Sequence, residues 1–221
     1  MVEINDLPSP PWPEVPLGAL AEIAGGITLG RTVSNQGAIE VPYLRVANVQ
    51  DGYLDLSEVK TITILRSEMD RYFLKPGDVL MNEGGDFDKL GRGTVWEGQI
   101  PDCTHQNHVF RVRCDISRLR PWFLSLISQS EIGKRYFVRS SKQTTNLATI
   151  NSSQIRAFRV PIPSLAEQDS IISILRATDR AIRKTEAILA KLRQVKQGLL
   201  QDLLTRGIDD NGEWLFRFLC G

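Results

Sequence analysis

The chain reads as α+β: a globular head of mixed β-sheet and helix, followed by one long coiled-coil-forming α-helix. Three observations predict this. Short runs rich in Val, Ile and Tyr recur from Val41 to Arg113, separated by turns that carry Pro and Gly. Apolar spacing then changes to a helical period over Pro121–Phe137. Finally, Ser164–Arg206 contains no proline and one glycine, Gly198. With 221 residues, 42% of them hydrophobic, the chain has material for one ordinary domain plus an appendage, or two small domains.

The elements follow in order. The first ten residues, with a Pro-Pro pair close behind, read as an extended arm. They have neither the basic nor the apolar region of a leader, and no apolar run nears the length of a membrane span, so a soluble cytoplasmic protein is expected. Leu17–Ile23 suggests a short amphipathic turn of helix before a glycine-rich strand entry. Gly25-Gly26 and Gly30-Arg31 read as turn and bulge, because no GK[ST] follows to make a phosphate loop. Val41–Val49 and Val59–Leu65 are predicted strands, Glu68–Phe73 a short helix, and Lys75-Pro76-Gly77-Asp78 a tight turn into the strand Val79–Met81. Asn82–Gly93 is a polar, glycine-rich loop between strands, the kind that is usually functional inside a compact domain. Thr94–Trp96 and His108–Arg113 continue the strands. Pro121–Ser128 and Glu131–Phe137 are predicted helices, and Asn151 or Ser152 caps a brief one ending at Ala157.

The long helix is announced at both ends. Pro161 and Pro163 stand before it, Ser164 and Glu167 form a capping box, and Gly207 supplies the left-handed stop. A helix of this length reaches about 60 Å. Leu175, Ile182, Leu189 and Leu203 fall at heptad position a, with Lys196 as the polar exception; Thr178, Thr185, Leu192 and Leu199 fall at d, and Ile174, Ala181, Ile188 and Val195 at g. That stripe is too long for a small head to cover, so another long helix is the expected partner. Leu175, Ile182, Leu189, Leu192, Lys196, Leu199 and Leu203 are the candidate pairing residues. The polar members of the seam are expected to fix register and antiparallel orientation at a cost in stability.

Net charge is +1, but its distribution is uneven. Residues 1–104 hold 8 Lys/Arg against 16 Asp/Glu, and residues 105–160 hold 10 against 2. The basic middle either presents a phosphate-binding surface or pairs with the acidic first half. On the first reading, Arg111, Arg113, Lys134, Arg135, Arg139 and Lys142 attract nucleic acid. Two loops, Gly84–Gly93 and Arg139–Asn146, then carry the side chains suited to base edges or phosphates: Lys89, Arg92, Lys142, Gln143 and Asn146, with Gln106 and Asn107 in support. By composition alone, Arg139–Asn146 also suits a solvated connector. His105 and His108, three apart in a strand context, make a poor metal pair, and Cys103, Cys114 and Cys220 fit reduced thiols better than a zinc site. Neither a metal site nor a nucleophile beside a base is predicted.

Several pieces in a fixed order resemble the specificity subunits of type I restriction-modification systems. They are Trp12…Pro16-Leu17-Gly18; Pro42-Tyr43-Leu44-Arg45-Val46-Ala47-Asn48-Val49; Leu74-Lys75-Pro76-Gly77-Asp78-Val79-Leu80; and Thr144…Asn151 before Ile155. Val160-Pro161-Ile162-Pro163-Ser164-Leu165-Ala166-Glu167-Gln168 and the closing Leu203-Leu204-Thr205-Arg206-Gly207 complete the series. The junction from Pro161 to Gln168 into a heptad helix is the most specific of them.

The resemblance implies a target recognition domain over residues 1–162, a spacer and dimerisation helix over 163–207 and a C-terminal tail over 208–221. It implies a non-catalytic subunit that binds one half of a split double-stranded DNA sequence and directs an adenine-methylating modification subunit, with a restriction subunit as a further partner. The subunit itself needs no cofactor, since S-adenosylmethionine and Mg/ATP belong to the partners. Typical members carry two recognition domains and two spacer helices, whereas this sequence holds one set. A homodimer with antiparallel helices, reading a palindromic bipartite site, is therefore expected. Two other classes stay open: a structural coiled-coil adaptor without nucleic-acid binding, and an enzyme using Asp86 or Asp88 with His105.

Overall fold

The computed structural model describes residues 12–33, 36–85, 90–91, 93–143 and 148–207. The first half of the chain forms β1 (Glu14–Pro16), β2 (Ala21–Gly25), β3 (Ala38–Leu44), β4 (Lys60–Leu65), α1 (Met69–Tyr72), β5 (Val79–Asn82), β6 (Gly84–Gly85) and β7 (Gly93–Val95). The second half forms β8 (Thr104–His105), β9 (Val109–Cys114), α2 (Pro121–Gln129), α3 (Glu131–Ser140), β10 (Lys142–Gln143), β11 (Ala148–Thr149), α4 (Ser152–Ala157), β12 (Arg159–Pro161) and α5 (Leu165–Arg206). The arm at residues 1–10 and the tail at 208–221 lie outside the described residues. No helix among the described residues is long and apolar enough to cross a membrane.

The chain divides into two compact units, 1–172 and 173–221. In the first, an antiparallel sheet of order β2-β9-β5-β7 is covered on both faces, which is why all four residues of β5 are buried. Val79 and Met81 join Ile23, Phe110 and Val112 in a core shared with Phe123, Leu124, Phe137, Ile155 and Phe158 of α2, α3, α4 and the α4–β12 link. Leu80 belongs to a second cluster with Leu44, Trp96 and Val109. A mixed sheet, β4-β3-β8, has its first pair antiparallel and its second parallel. β1 pairs with β12, so the start of the head is joined to the strand just before α5.

Two stretches differ from the sequence expectation. Only Leu17–Ala19 forms a turn of 3-10 helix; Ala21–Gly25 is strand β2, in unbroken register with β9. The helix-like spacing of Leu17, Leu20 and Ile23 is overridden by pairing with a strand distant in sequence. The strand expected over Val41–Val49 stops at Leu44, and Val46–Asn48 is a 3-10 turn. Buried Asn48 causes this. Its Oδ1 accepts the Arg45 amide at 2.9 Å, and its Nδ2 donates to the carbonyls of Asp55 (2.8 Å) and Glu58 (2.9 Å). A side chain that serves three backbone groups fixes a turn where β-propensity favours extension.

The punctuation elsewhere matches its residues. The Asp78 amide closes the Lys75 turn at 2.9 Å, with Gly77 at φ 95°. Asn151 caps α4 by accepting from the Gln154 amide, and the Gln154 side chain returns to the Asn151 amide. At α5, Glu167 accepts from the Ser164 hydroxyl (2.7 Å) and amide (2.9 Å), which holds its carboxyl below the usual carboxylate range. Gly207, at φ 76°, ends the helix by donating to Leu203.

In the second unit, α5 from residue 173 onward carries its apolar residues exposed: Ile174, Leu175, Ile182, Ile188, Leu189, Leu192, Val195, Leu199 and Leu203 all lie in that class. The hydroxyls of Thr178 and Thr185 donate to the carbonyls of Ile174 (3.1 Å) and Ala181 (2.9 Å), so each donor is already satisfied within the helix.

His105 faces the core and is fully buried, whereas His108 is exposed. The His105 Nδ1 donates to the Val109 carbonyl at 2.7 Å, and burial pushes its pKa down to about 4. Between that value and an unfolded value of about 6.5, the unfolded chain binds the extra proton, so stability falls as pH drops through this window. Thermal melts from pH 7 to 4 should show the decline, and His105→Gln should make it shallower. An unchanged slope in that variant would mean that other groups set the acid limit.

Candidate nucleic-acid interface

The stems of the two loops singled out in the sequence are joined by a small antiparallel sheet of order β10-β11-β6. Gly84 and Gly85, which open the first loop, pair with Thr149 and Ala148; these in turn pair with Lys142 and Gln143, the stem of the second. The strip continues sideways. Glu83 accepts the Ile150 amide (2.8 Å) on one side and donates its own amide to the His108 carbonyl (2.9 Å) on the other. The Gln106–His108 turn, residues 83–85, 148–150 and 142–143 therefore lie side by side. Glycine is required at position 84, where a Cβ would stand 2.9 Å from the Ala148 carbonyl oxygen.

Placement separates the candidate residues into groups. Lys142 is exposed at the head of β10, and Arg139, Lys134 and Arg135 are exposed on α3, the helix that feeds it. Arg135 lies 3.8 Å from Glu131 one turn earlier, an exposed pair of little consequence. Gln106 and Asn107 are half-buried on the strip, their backbone amides tied to the carbonyls of Leu44 and Ile27, and they directly precede His108. Gln143 contributes its backbone pairing with Ala148. Lys89, Arg92 and Asn146 lie outside the described residues, as do Asp86 and Asp88.

Arg111 and Arg113 are a different case. Arg111 is 3% exposed; its Nη2 donates to Glu22 at 2.6 Å and its Nη1 to the Arg71 carbonyl at 3.0 Å. Arg113 grips buried Asp78 through two bonds, 2.7 and 2.8 Å, and that carboxylate raises its pKa further. These two cations neutralise acidic residues of the first half inside the head, the internal-pairing alternative open from the sequence. Of the candidate cations among the described residues, those of α3 and β10 are the ones left on the surface.

The structure adds a pair that spacing could not find. The exposed His108 Nδ1 meets Glu83 Oε2 at the stem of the first loop. In the sequence His108 figures only as half of a poor metal pair; the available signal is that it follows Gln106-Asn107 directly. The far end of the same loop is pinned as firmly. Leu90 is buried in the main core, and Gly91, at φ 64°, lies so close to Phe137 that a Cβ would stand 2.2 Å from its ring. Phe137 belongs to α3, so one ring seats the first loop on the helix that carries the second. Gly30 offers a control, with φ 76° and nothing within 4 Å of its Cβ position. Both Gly→Ala changes incur the left-handed penalty of about 1–2 kcal/mol, while Gly91→Ala adds overpacking of roughly 1–3 kcal/mol. Urea denaturation should rank Gly91→Ala clearly below Gly30→Ala; equal losses would show that Phe137 yields freely.

Comparison with known proteins fits this architecture. The family model of the type I restriction modification DNA specificity domain matches residues 10–194. The putative type I restriction enzyme MjaX specificity subunit of Methanocaldococcus jannaschii is 24% identical over 93% of this chain and 48% of its own length. The EcoKI specificity subunit of Escherichia coli K12 is 22% identical over 82% and 39%. The chain thus spans about half the length of the curated relatives it matches, or less. Among solved structures, the HsdS subunit from Thermoanaerobacter tengcongensis superposes with a TM-score of 0.61 at 16% identity, covering 96% of this chain and 53% of that one. A structure of the type I R-M system, solved for its complex assembly and conformational transition, gives 0.58 at 19% identity, covering 94% and 49%. The chain belongs to the type I restriction-modification DNA specificity family.

Proposed function

We propose that this chain is the non-catalytic DNA-recognition component of a type I restriction-modification system. The strip formed by the stems of both loops carries the reading. In a member of this family, it joins the stems of two glycine- and polar-rich loops to the Gln106–His108 turn, beside the cations of α3 and β10. Lys134, Arg135, Arg139 and Lys142 supply phosphate attraction. Lys89, Arg92, Gln143 and Asn146 on the loops, with Gln106 and Asn107 beside them, supply base readout. Arg111 and Arg113 are left out of this set, because their guanidinium groups neutralise Glu22 and Asp78.

One head reads one half of a split duplex sequence. The exposed a, d and g face of α5 pairs with the same face of a second copy, running antiparallel, so two heads present identical readouts and the target is palindromic. Its partners are a modification subunit, which brings S-adenosylmethionine and methylates adenine, and a restriction subunit that uses Mg/ATP. The chain works in the cytoplasm, where the DNA is.

Binding of the purified chain to a duplex carrying its target, across a base-substitution series and a salt titration, tests this. Changing a base-reading loop residue to Ala should cost about 1–3 kcal/mol at one base position. Lys134→Ala or Arg139→Ala should instead weaken every sequence alike and reduce the salt slope by about one. Absence of any salt-dependent duplex binding would favour a coiled-coil adaptor instead.

A further inference from the structure

The antiparallel pairing proposed above leaves its register open, and the charges of α5 decide it. With a and d as assigned, position e holds Asp179, Glu186, Arg193 and Leu200 in turn, acidic in the first half of the helix and basic or apolar in the second. Glu186 and Arg193 are both exposed. In an antiparallel pair, a packs against d of the mate, e borders e and g borders g. Sliding one copy along the other in heptad steps therefore brings different e residues face to face, while the apolar stripe stays continuous.

Three antiparallel registers keep a long overlap. In one, Leu189 packs on Leu192 of the second copy, Ile182 on Leu199 and Leu203 on Thr178. Glu186 then faces Arg193 twice, once in each direction. Moving one heptad either way breaks both Glu186–Arg193 pairs and sets like charges together: one shift places Glu186 against Glu186, although it pairs Asp179 with Arg193, and the other places Arg193 against Arg193 and Lys196 against Leu192. A parallel pair is worse, because the two Lys196 side chains would share one core layer and no oppositely charged residues would border it. We propose that two copies of α5 associate antiparallel in the first of these registers, with Leu189 against Leu192 and Glu186 facing Arg193 of the second copy.

The polar seam residues then acquire partners. Lys196 at a faces Thr185 at d, and Thr185 stands beside Glu186 in sequence. The Thr185 hydroxyl already donates to the Ala181 carbonyl at 2.9 Å, so its oxygen keeps lone pairs to accept from an ammonium group. Lys196 thus meets an acceptor and a nearby carboxylate instead of leucine. The g positions agree: Ile188 borders Val195, and the charged Asp202 borders the smallest member, Ala181. The whole seam from Leu175 to Leu203 lies in the second unit, so it does not depend on the head.

Sedimentation equilibrium of the full chain and three variants tests the register. Glu186→Arg places Arg against Arg193, and Arg193→Glu places Glu against Glu186; each should raise the dimer dissociation constant roughly tenfold, since two symmetric pairs turn from attraction to repulsion. The double variant Glu186→Arg/Arg193→Glu should return to the wild-type value. In the register with Glu186 against Glu186, the first change would have no effect and the double variant would be weaker than wild type. In the other shifted register, and in a parallel pair, neither single change would matter. Any of those results overturns the proposal. A wild-type chain that sediments as a monomer at micromolar concentration would overturn the homodimer itself, whereas DNA recognition by the head is judged separately by the duplex-binding series.

Discussion

The amide of Gln168 is the constraint on which the head depends. It lies in the first turns of α5, is fully buried, and uses both its amide protons and its oxygen: Oε1 accepts the Arg120 amide at 2.8 Å, and Nε2 donates to the carbonyls of Arg118 and Pro163, both at 3.0 Å. A buried amide without partners would cost several kcal/mol, so these contacts are a condition for closing the core there. Around it, Arg120 clasps Asp169 through two bonds of 2.9 and 3.0 Å, and Ile171 and Ile172 pack on the main hydrophobic cluster. The compact head accordingly carries on past Ile162 to residue 172, taking in the opening turns of the helix. With β1 paired to β12 at the same corner, the segment that enters the head and the one that leaves it are held to one frame. This explains physically why Pro161 to Gln168 is the most recognisable stretch of the sequence: prolines, cap and glutamine each have a fixed task there.

The basic middle of the chain serves two ends. Arg111 and Arg113 point to the side of β9 opposite Phe110 and Val112, where they neutralise Glu22 and Asp78. Asp78 also accepts the Lys75 amide, so one carboxylate fastens a turn, a strand and a neighbouring strand. Lys134, Arg135, Arg139 and Lys142 lie instead along α3 and β10, exposed. The reading proposed for the head needs both sets, one to hold the sheet that supports the loop stems and one to meet phosphate. Buried Cys103 and Cys114, whose thiols burial pushes up to about 12, pack in the core, and the Cys103 thiol donates to the Thr104 carbonyl.

What could be read in advance was what the chain encodes locally. Helix caps at Asn151, Ser164 and Gly207, the turn at Gly77 and the heptads of α5 each depend on residues within a few positions of one another. The strip of loop stems was not legible, because Gly84 and Thr149 meet only after the intervening sheets and helices are built, and a glycine pair gives no pattern that names its partner. Nor was the division among the arginines: composition counts the charges of β9 and α3 alike, while the alternation of a strand decides which of them turn inward. Asn48 shows the reverse error, where β-branched neighbours promised a strand and one buried amide made a turn.

On the function proposed here, one head reads one half-site and two copies, joined by α5, read it twice. Sequencing the methylome of a host that carries this chain together with its modification subunit tests this most directly. New adenine methylation is expected at a split motif whose two halves are inverted repeats of each other. Methylation at a motif with unlike halves, or at an undivided one, would contradict it.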